Sequence, residues 1–488
     1  MRKSEKKQKY KIMKGFYRKS HRFKEQLLLF AAMVMFMALP FTTKAQNGSA
    51  SAPFPIRTAQ QLTSLAQRIN AGGTFYFNPA DSMYYTSNGS GYVSIPNGGE
   101  SQNFKLVADI NLNAGDMASY DGVLPSGATA WIVLGNSDTH PFDGVLDGDY
   151  HTIGGMYVKQ DVANVGFIGI TGNHAKIRNL GIIRSYVSGN NTCGGLIGTA
   201  LHAEVENCFF AGTVEANGTS AAAGTIVGGL IGEASTATMV SHCSTNAMVS
   251  GKSQVGGLVG RTVGAGDPCT FTNCYSSSTV YGQLSYTGGA IGEDRHSGTV
   301  ISGLYYDSQM VSIPSGVAPA STSMRGTSMT TSAMTDGTWA PAGFTAQTGG
   351  IYPVITGFNP ATNPAIYLTL LPIFLPAGSS LSNLTAVSSV TLGGQPGGVT
   401  WTLTEGVGTV THSAPYTLTM DGQSYVVLQA SHNGANRSYV FRFDKTPLLG
   451  SAENPFTIDN RAQLNLFRDG INTGLPFKYK HFTIPALG

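Results

Sequence analysis

Charge is what this sequence has least of. Of its 488 residues only 12% are Asp, Glu, Lys or Arg, Trp occurs 3 times and Cys 5 times, against 62 glycines. So little charge excludes a highly charged disordered chain, and so much glycine argues against a helical one; many-turned all-β structure remains. The five thiols, Cys193, Cys208, Cys243, Cys269 and Cys274, are an odd set with no Cys-x-x-Cys and no His at ligand spacing. Neither a disulfide framework nor a zinc site is expected, and the thiols should be buried as small apolar groups. There is no His-Glu pair, hence no His-Glu-x-x-His peptidase helix, and no G-x-S-x-G elbow or P-loop.

The basic residues are misplaced for nucleic-acid binding. Twelve of the 30 Lys and Arg, but only 2 of the 27 acidic residues, fall within the first 44 positions, leaving 18 basic against 25 acidic and a net charge of −7 for the remainder. That basic stretch runs into an apolar segment from Leu27 to Phe41 and then Thr42-Thr43-Lys44-Ala45-Gln46. The segment is short of the ~20 residues of a membrane span. It reads as a signal peptide over 1–45, cleaved after Ala45, which makes the mature chain exported with no transmembrane helix.

What is abundant is repetition. TCGGLIGTA at 192–200 returns as VGGLIGE, VGGLVGR and TGGAIGE, and a shorter copy precedes it at Gly166-Phe167-Ile168-Gly169. Between the copies lie IRNL, VENC, VSHC and FTNC, starting at Ile177, Val205, Val240 and Phe271, each followed nine or ten residues later by a valine. Short β-branched runs separated by Gly-rich turns exclude a helical solenoid and predict one coil of a parallel β-helix per repeat. The paired aliphatics, Leu196 and Ile197 for example, should fill the interior at a bend. Their glycines should supply positive φ and close approach between coils. Leu180, Cys208, Cys243 and Cys274 should stack as one interior column. FKLVADINLNA, WIVLG and FDGVLDGDYHTIGGMYV read as the first coils, and Gln60 to Gly72, with Leu62, Leu65, Ala66 and Ile69 at helical spacing, as a helix capping the open end.

The G-G-[LA]-[IV]-G series, DGDYHTIGG and ADINLN resemble the GLUG-repeat family of bacterial surface and adhesin-like proteins, over roughly Pro53 to Asp307. The resemblance implies a right-handed β-helix of the pectin-lyase-like kind, a surface location and adhesive or carbohydrate-facing roles. In immunoglobulin-A-specific metallopeptidases with similar repeats, activity belongs to a separate His-Glu-x-x-His domain, which this sequence does not contain.

The expected organisation is a β-helix over 46–310, a closing segment or linker over 311–364, a small Ig-like β-sandwich over 365–447, and a further unit over 448–488. The sandwich is expected from YLTLLPIFL, VSSVTL, GVTWTLT, PYTLTM, SYVVLQAS and SYVFRFD, with Trp401 in its core. From Pro455 the sequence repeats that from Pro53 at a constant offset of 402, so 448–488 reads as the start of a second cap-and-helix unit in a truncated piece of a longer array.

Candidate chemistry is thin. Asp143, Asp147, Asp149 and His151 could hold calcium or serve as an acid and base. Each Asp adjoins a glycine, however, which favours a turn, and the sequence sets no basic residue among them. Asp294 and His296 read as solvated loop residues. Tyr84-Tyr85, Phe209-Phe210 and Tyr305-Tyr306 offer stacking surfaces for sugars, although one ring of each pair should point inward. No catalytic, cofactor-binding or metal-binding residue is assigned. The expectation is a non-enzymatic adhesin, a monomeric rod contacting host or microbial glycans or surface proteins. A β-helix polysaccharide lyase or hydrolase and an architectural stalk are the alternatives.

Overall fold

The computed structural model describes residues 46–118, 124–216, 225–282, 286–296, 298–312, 325–372, 389–392, 398–411, 416–420, 425–442, 455–458, 461–472 and 482–484. The chain divides into two units, 1–46 and 47–488, and the second carries the fold. The expected leader at 1–45 lies outside the described residues.

The repeats form a parallel β-solenoid of about five turns, whose strands pair from coil to coil in sheets of sixteen, four and five strands. Each recurring phrase lands in register on the one before it. Phe54, Phe104, Leu146, Ile177, Val205, Val240, Phe271 and Ile301 pair successively as one column. The valines that follow, Val187, Val214, Val249, Val280 and Val311, form a second, and Ile168, Ile197, Ile231, Val259 and Ile291 a third. Of these residues all but Ile301 are buried, and they fill one continuous core. A coil alone cannot cover its apolar side; stacking at the ~4.8 Å strand spacing does so.

Of the two roles expected for the glycines of the repeat, close approach between coils holds and positive φ does not. Gly194, Gly228 and Gly256 are not among the positive-φ residues. They are required by crowding alone: a Cβ on Gly228 would collide with the Ile231 carbonyl oxygen and stand 2.6 Å from the Gly260 amide nitrogen. Leu196 and Ile197 are both fully buried at a bend between two rows, as predicted. Positive φ is instead taken by the residue before the column of Leu180, Cys208, Cys243 and Cys274: Asn179, Asn207, His242 and Asn273 lie at φ 50 to 52°. Asn and His tolerate this left-handed region better than most side chains. Asn207 Nδ2 donates to Asn179 Oδ1 at 3.0 Å, continuing the turn from coil to coil.

All five cysteines are free and buried. The Cys208 and Cys243 amides donate to Cys243 Sγ and Cys274 Sγ at 3.4 Å each, so the predicted column exists. Burial pushes the Cys243 and Cys274 thiols well up, and that of Cys269 to about 11.

The predicted cap is helix α1, Ala59–Ala71. Thr58 and Gln61 make a reciprocal capping box, and Leu62, Leu65, Ala66 and Ile69 are buried. After the last full coil, Thr327–Met329 adds to the parallel row beside Tyr305–Asp307. A short helix α2, Thr331–Met334, and an antiparallel hairpin, Phe344–Gln347 with Ile351–Ile355, follow. Asp307, buried and pushed up by burial, accepts hydrogen bonds from the Tyr352 hydroxyl at 2.7 Å and from Thr331 Oγ1, tying the hairpin to the last coil.

The predicted strand at YLTLLPIFL is a helix over its described start. α3 spans Pro364–Thr369, because Asn363 supplies the N-cap and Pro364 the first helical position. The remaining segments form two three-stranded antiparallel sheets: Ser389–Leu392, Tyr416–Met420 and Gly408–Val410 in one, Thr400–Glu405, Tyr425–His432 and Ala435–Arg442 in the other. Leu418 from the first and Trp401 and Leu428 from the second share one core. Helix α4, Arg461–Asn472, begins at the position 402 residues beyond the start of α1.

Candidate functional site

The carboxylates of FDGVLDGDYH sit in one ten-residue strand, Val145–Gly154, and the segment just before it. The strand is bulged: Asp149 and Tyr150 take positive φ, at 49 and 64°, and the register slips between Arg178 and Leu180 on the next coil. The bulge sends the side chains to different partners. Asp143 Oδ2 faces His174 Nδ1 at 3.1 Å, Asp147 Oδ2 faces Arg178 Nε at 3.0 Å, Asp149 Oδ2 faces Lys105 Nζ at 2.9 Å, and His151 Nδ1 lies 3.6 Å from Asp109. Neighbouring coils thus do bring basic residues to these acids, which linear sequence did not reveal. Each charge is neutralised separately rather than aimed at a common point.

Among the described residues, Glu100, Asp143 and His174 form the one group of three potential metal donors, with ligand atoms within 4.8 Å of one another. The hydrogen bond and charge of Asp143 raise the His174 pKa. A cation there would have to displace that proton.

Asp294 and His296 correct the sequence reading. They are not solvated: the Asp294 side chain is 1% exposed and His296 3%. Asp294 Oδ1 accepts from Thr262 Oγ1 at 2.5 Å and Thr299 Oγ1 at 2.8 Å, and Arg325 Nε stands 2.7 Å from Oδ2. This is a buried polar closure at the end of the last copy of the repeat.

Aromatic pairs divide as expected, with Tyr84, Phe210 and Tyr306 buried in the solenoid core. Their partners Phe209 and Tyr305 face outward in one column that registers Gly181, Phe209, Ser244, Tyr275 and Tyr305. That column is covered by the chain itself. Phe358 meets Phe209 edge-on at 5.0 Å and Tyr150 at 5.4 Å; Trp339 meets Tyr275 and Tyr305 at 5.9 and 5.4 Å. The Tyr275 hydroxyl donates to the Pro353 carbonyl at 2.6 Å. A closing segment over 311–364 was expected, but that its Trp339, Phe358 and hairpin would cover this aromatic column was not legible in the sequence, because the contacts join segments far apart in the chain.

One outward column stays largely exposed among the described residues. On the short strands, Lys176, Glu204, Met239, Thr270 and Val300 register as one column, one residue per coil. Met239 is 45% and Val300 49% exposed, and Lys176 pairs with Glu204 at 2.8 Å. In another row Thr199, Glu233, Arg261 and Glu293 register in the same way but are largely covered: the Arg261 and Glu233 side chains, bound to each other, are 20 and 17% exposed and Glu293 is 5% exposed. The exposed column is a polar ladder interrupted by two apolar residues, Met239 and Val300.

A family model, the GLUG motif, matches residues 251–281. Halomucin of Haloquadratum walsbyi is 30% identical over 157 residues, which is 32% of this chain and 2% of that protein's length. A Bacteroides ovatus protein of solved structure, provisionally designated an immunoglobulin A1 protease, aligns at 19% identity over 64% of this chain and 95% of its own, with a TM-score of 0.46. Among the described residues, no helix is long and apolar enough to cross a membrane.

Proposed function

We propose that this GLUG-motif β-solenoid is an exported, cell-surface adhesin without catalytic activity, led out by the segment 1–45. The observation that carries the reading is the open column Lys176, Glu204, Met239, Thr270 and Val300. Side chains repeating once per coil on a stacked scaffold offer many weak contacts to a repetitive ligand such as a glycan or a surface protein, and such contacts combine into avidity. Motif and mucin-named relative support a surface setting. The acids of FDGVLDGDYH support binding over turnover, since each is held by its own cation or imidazole. The two three-stranded sheets after α3 act as an Ig-like spacer.

An array of glycans and host surface proteins, immunoglobulin A1 included, tests this with the full chain, with and without calcium, while released products are followed by mass spectrometry. Saturable binding without new products is the expected result. Cleavage of a polysaccharide or of the immunoglobulin would overturn the adhesin reading, and silence across the array would favour an architectural stalk.

A further inference from the structure

The last sheet packs against the side of the solenoid, and one side chain in that seam is electrostatically incomplete. Arg437, on the strand Ala435–Arg442, is 4% exposed. Its Nη2 donates to the Asn246 carbonyl at 3.2 Å, and its guanidinium carbon lies 5.5 Å from the Tyr439 ring centroid. Its Nε and Nη1 have no acceptor among the described residues, which leaves one N–H on Nε and two on Nη1 unsatisfied. Arginine does not lose its proton in a protein, so a full positive charge is buried there.

No described carboxylate lies within the 4.0 Å of an ion pair to Arg437. Asp116 is nearby, but it accepts the backbone amides of Ser438 and Ala118, and Arg184 feels both its attraction and the repulsion of Arg437. Among the described residues, Arg184 and Arg437 share the influence of Asp116.

Beside Arg437 is a cavity of about 40 Å³ lined also by Thr213, Asn246, Ser277, Thr279 and Tyr439. Asn246 Nδ2 donates to Ser277 Oγ, which donates to the Thr245 carbonyl, so part of the wall is held in place. A volume of several water-sized probes with a planar donor fork on one side suits a planar, singly charged acid group.

We propose that this seam is a carboxylate-binding site, with Arg437 as the anchoring cation and its occupant either a small free acid or the acid group of a sugar. The inference stands apart from the adhesin reading, because free acetate would suffice. The test is the line broadening of ¹³C-labelled acetate on the full wild-type chain and on Arg437→Met, with excess glucuronate or glucose as competitor. Broadening by the wild type alone, reversed by glucuronate and not by glucose, is expected if a sugar acid can enter. Broadening that glucuronate leaves intact supports the site and identifies the small free acid as its occupant. No broadening by the wild type, or equal broadening by the variant, would overturn the proposal. Should Arg437→Met fail to fold, Arg437→Lys, which keeps the charge and loses the fork, must weaken acetate binding about tenfold.

Discussion

Two outward columns climb the same coils and end in opposite environments. Phe209 and Tyr275 are 8 and 1% exposed, shielded by Trp339, the hairpin and Phe358; Met239 and Val300 are 45 and 49% exposed. The solenoid presents both columns alike. What separates them is the return of the chain across one and not the other, so an outward ring on a β-helix is not by itself a sugar platform. The two related helices repeat the lesson. Leu62 and Ile69 of α1 are at 0 and 1% exposure, whereas Leu464 and Ile471, at the same positions of α4, are 45 and 52% exposed.

The strongest way to break this comparison is Tyr275→Ala. Loss of a buried ring and its hydroxyl bond should cost about 3–5 kcal/mol in denaturant unfolding, while Met239→Ala should stay within about 0.5 kcal/mol. Equal costs would mean that the covering segment is not held in place. Next in size, Leu65→Ala in α1 should cost about 2–4 kcal/mol and Leu464→Ala in α4 close to nothing; a large loss at Leu464 would reveal a face buried in solution. Thr58→Ala removes the capping-box acceptor and should cost about 1 kcal/mol, an effect that Thr58→Ser should largely spare.

The smallest effect concerns the open surface at His174. Asp143 raises its folded pKa, so any stabilisation is complete below the unfolded value near 6.5 and fades as pH rises through the raised one. NMR titration should show the His174 pKa falling in Asp143→Asn. An unchanged titration would remove Asp143 as the cause.

Much of this fold was legible because a coil is short and repeats itself. GGΦΦG and the valine nine or ten residues after each Ile/Val phrase gave the rows, and the Cys208, Cys243 and Cys274 column followed from their common offset. The helical spacing of Leu62, Leu65, Ala66 and Ile69 marked the cap, whereas the capping box of Thr58 and Gln61 emerged only in the structure. Illegible features depended on contacts between distant segments. Lys105 and Arg178 reach Asp149 and Asp147 only through coil stacking. His296 is buried where its Gly-rich surroundings read as loop, and Arg437 meets Asn246 across 191 residues. The Asn179, Asn207 and Asn273 turn did carry a signal, an Asn before each Leu or Cys, whose link to positive φ the sequence reading passed over.

The most direct test of the covered and open faces is hydroxyl-radical footprinting of the native full chain, read residue by residue with mass spectrometry. Tyr275 and Tyr281 share one chemistry but differ in exposure, at 1 and 36%. The account predicts rapid oxidation of Tyr281 and Met239 with Tyr275 and Phe209 protected until the chain unfolds. Tyr275 oxidised as fast as Tyr281 would show that the aromatic column is open and that the binding surface has been placed on the wrong face.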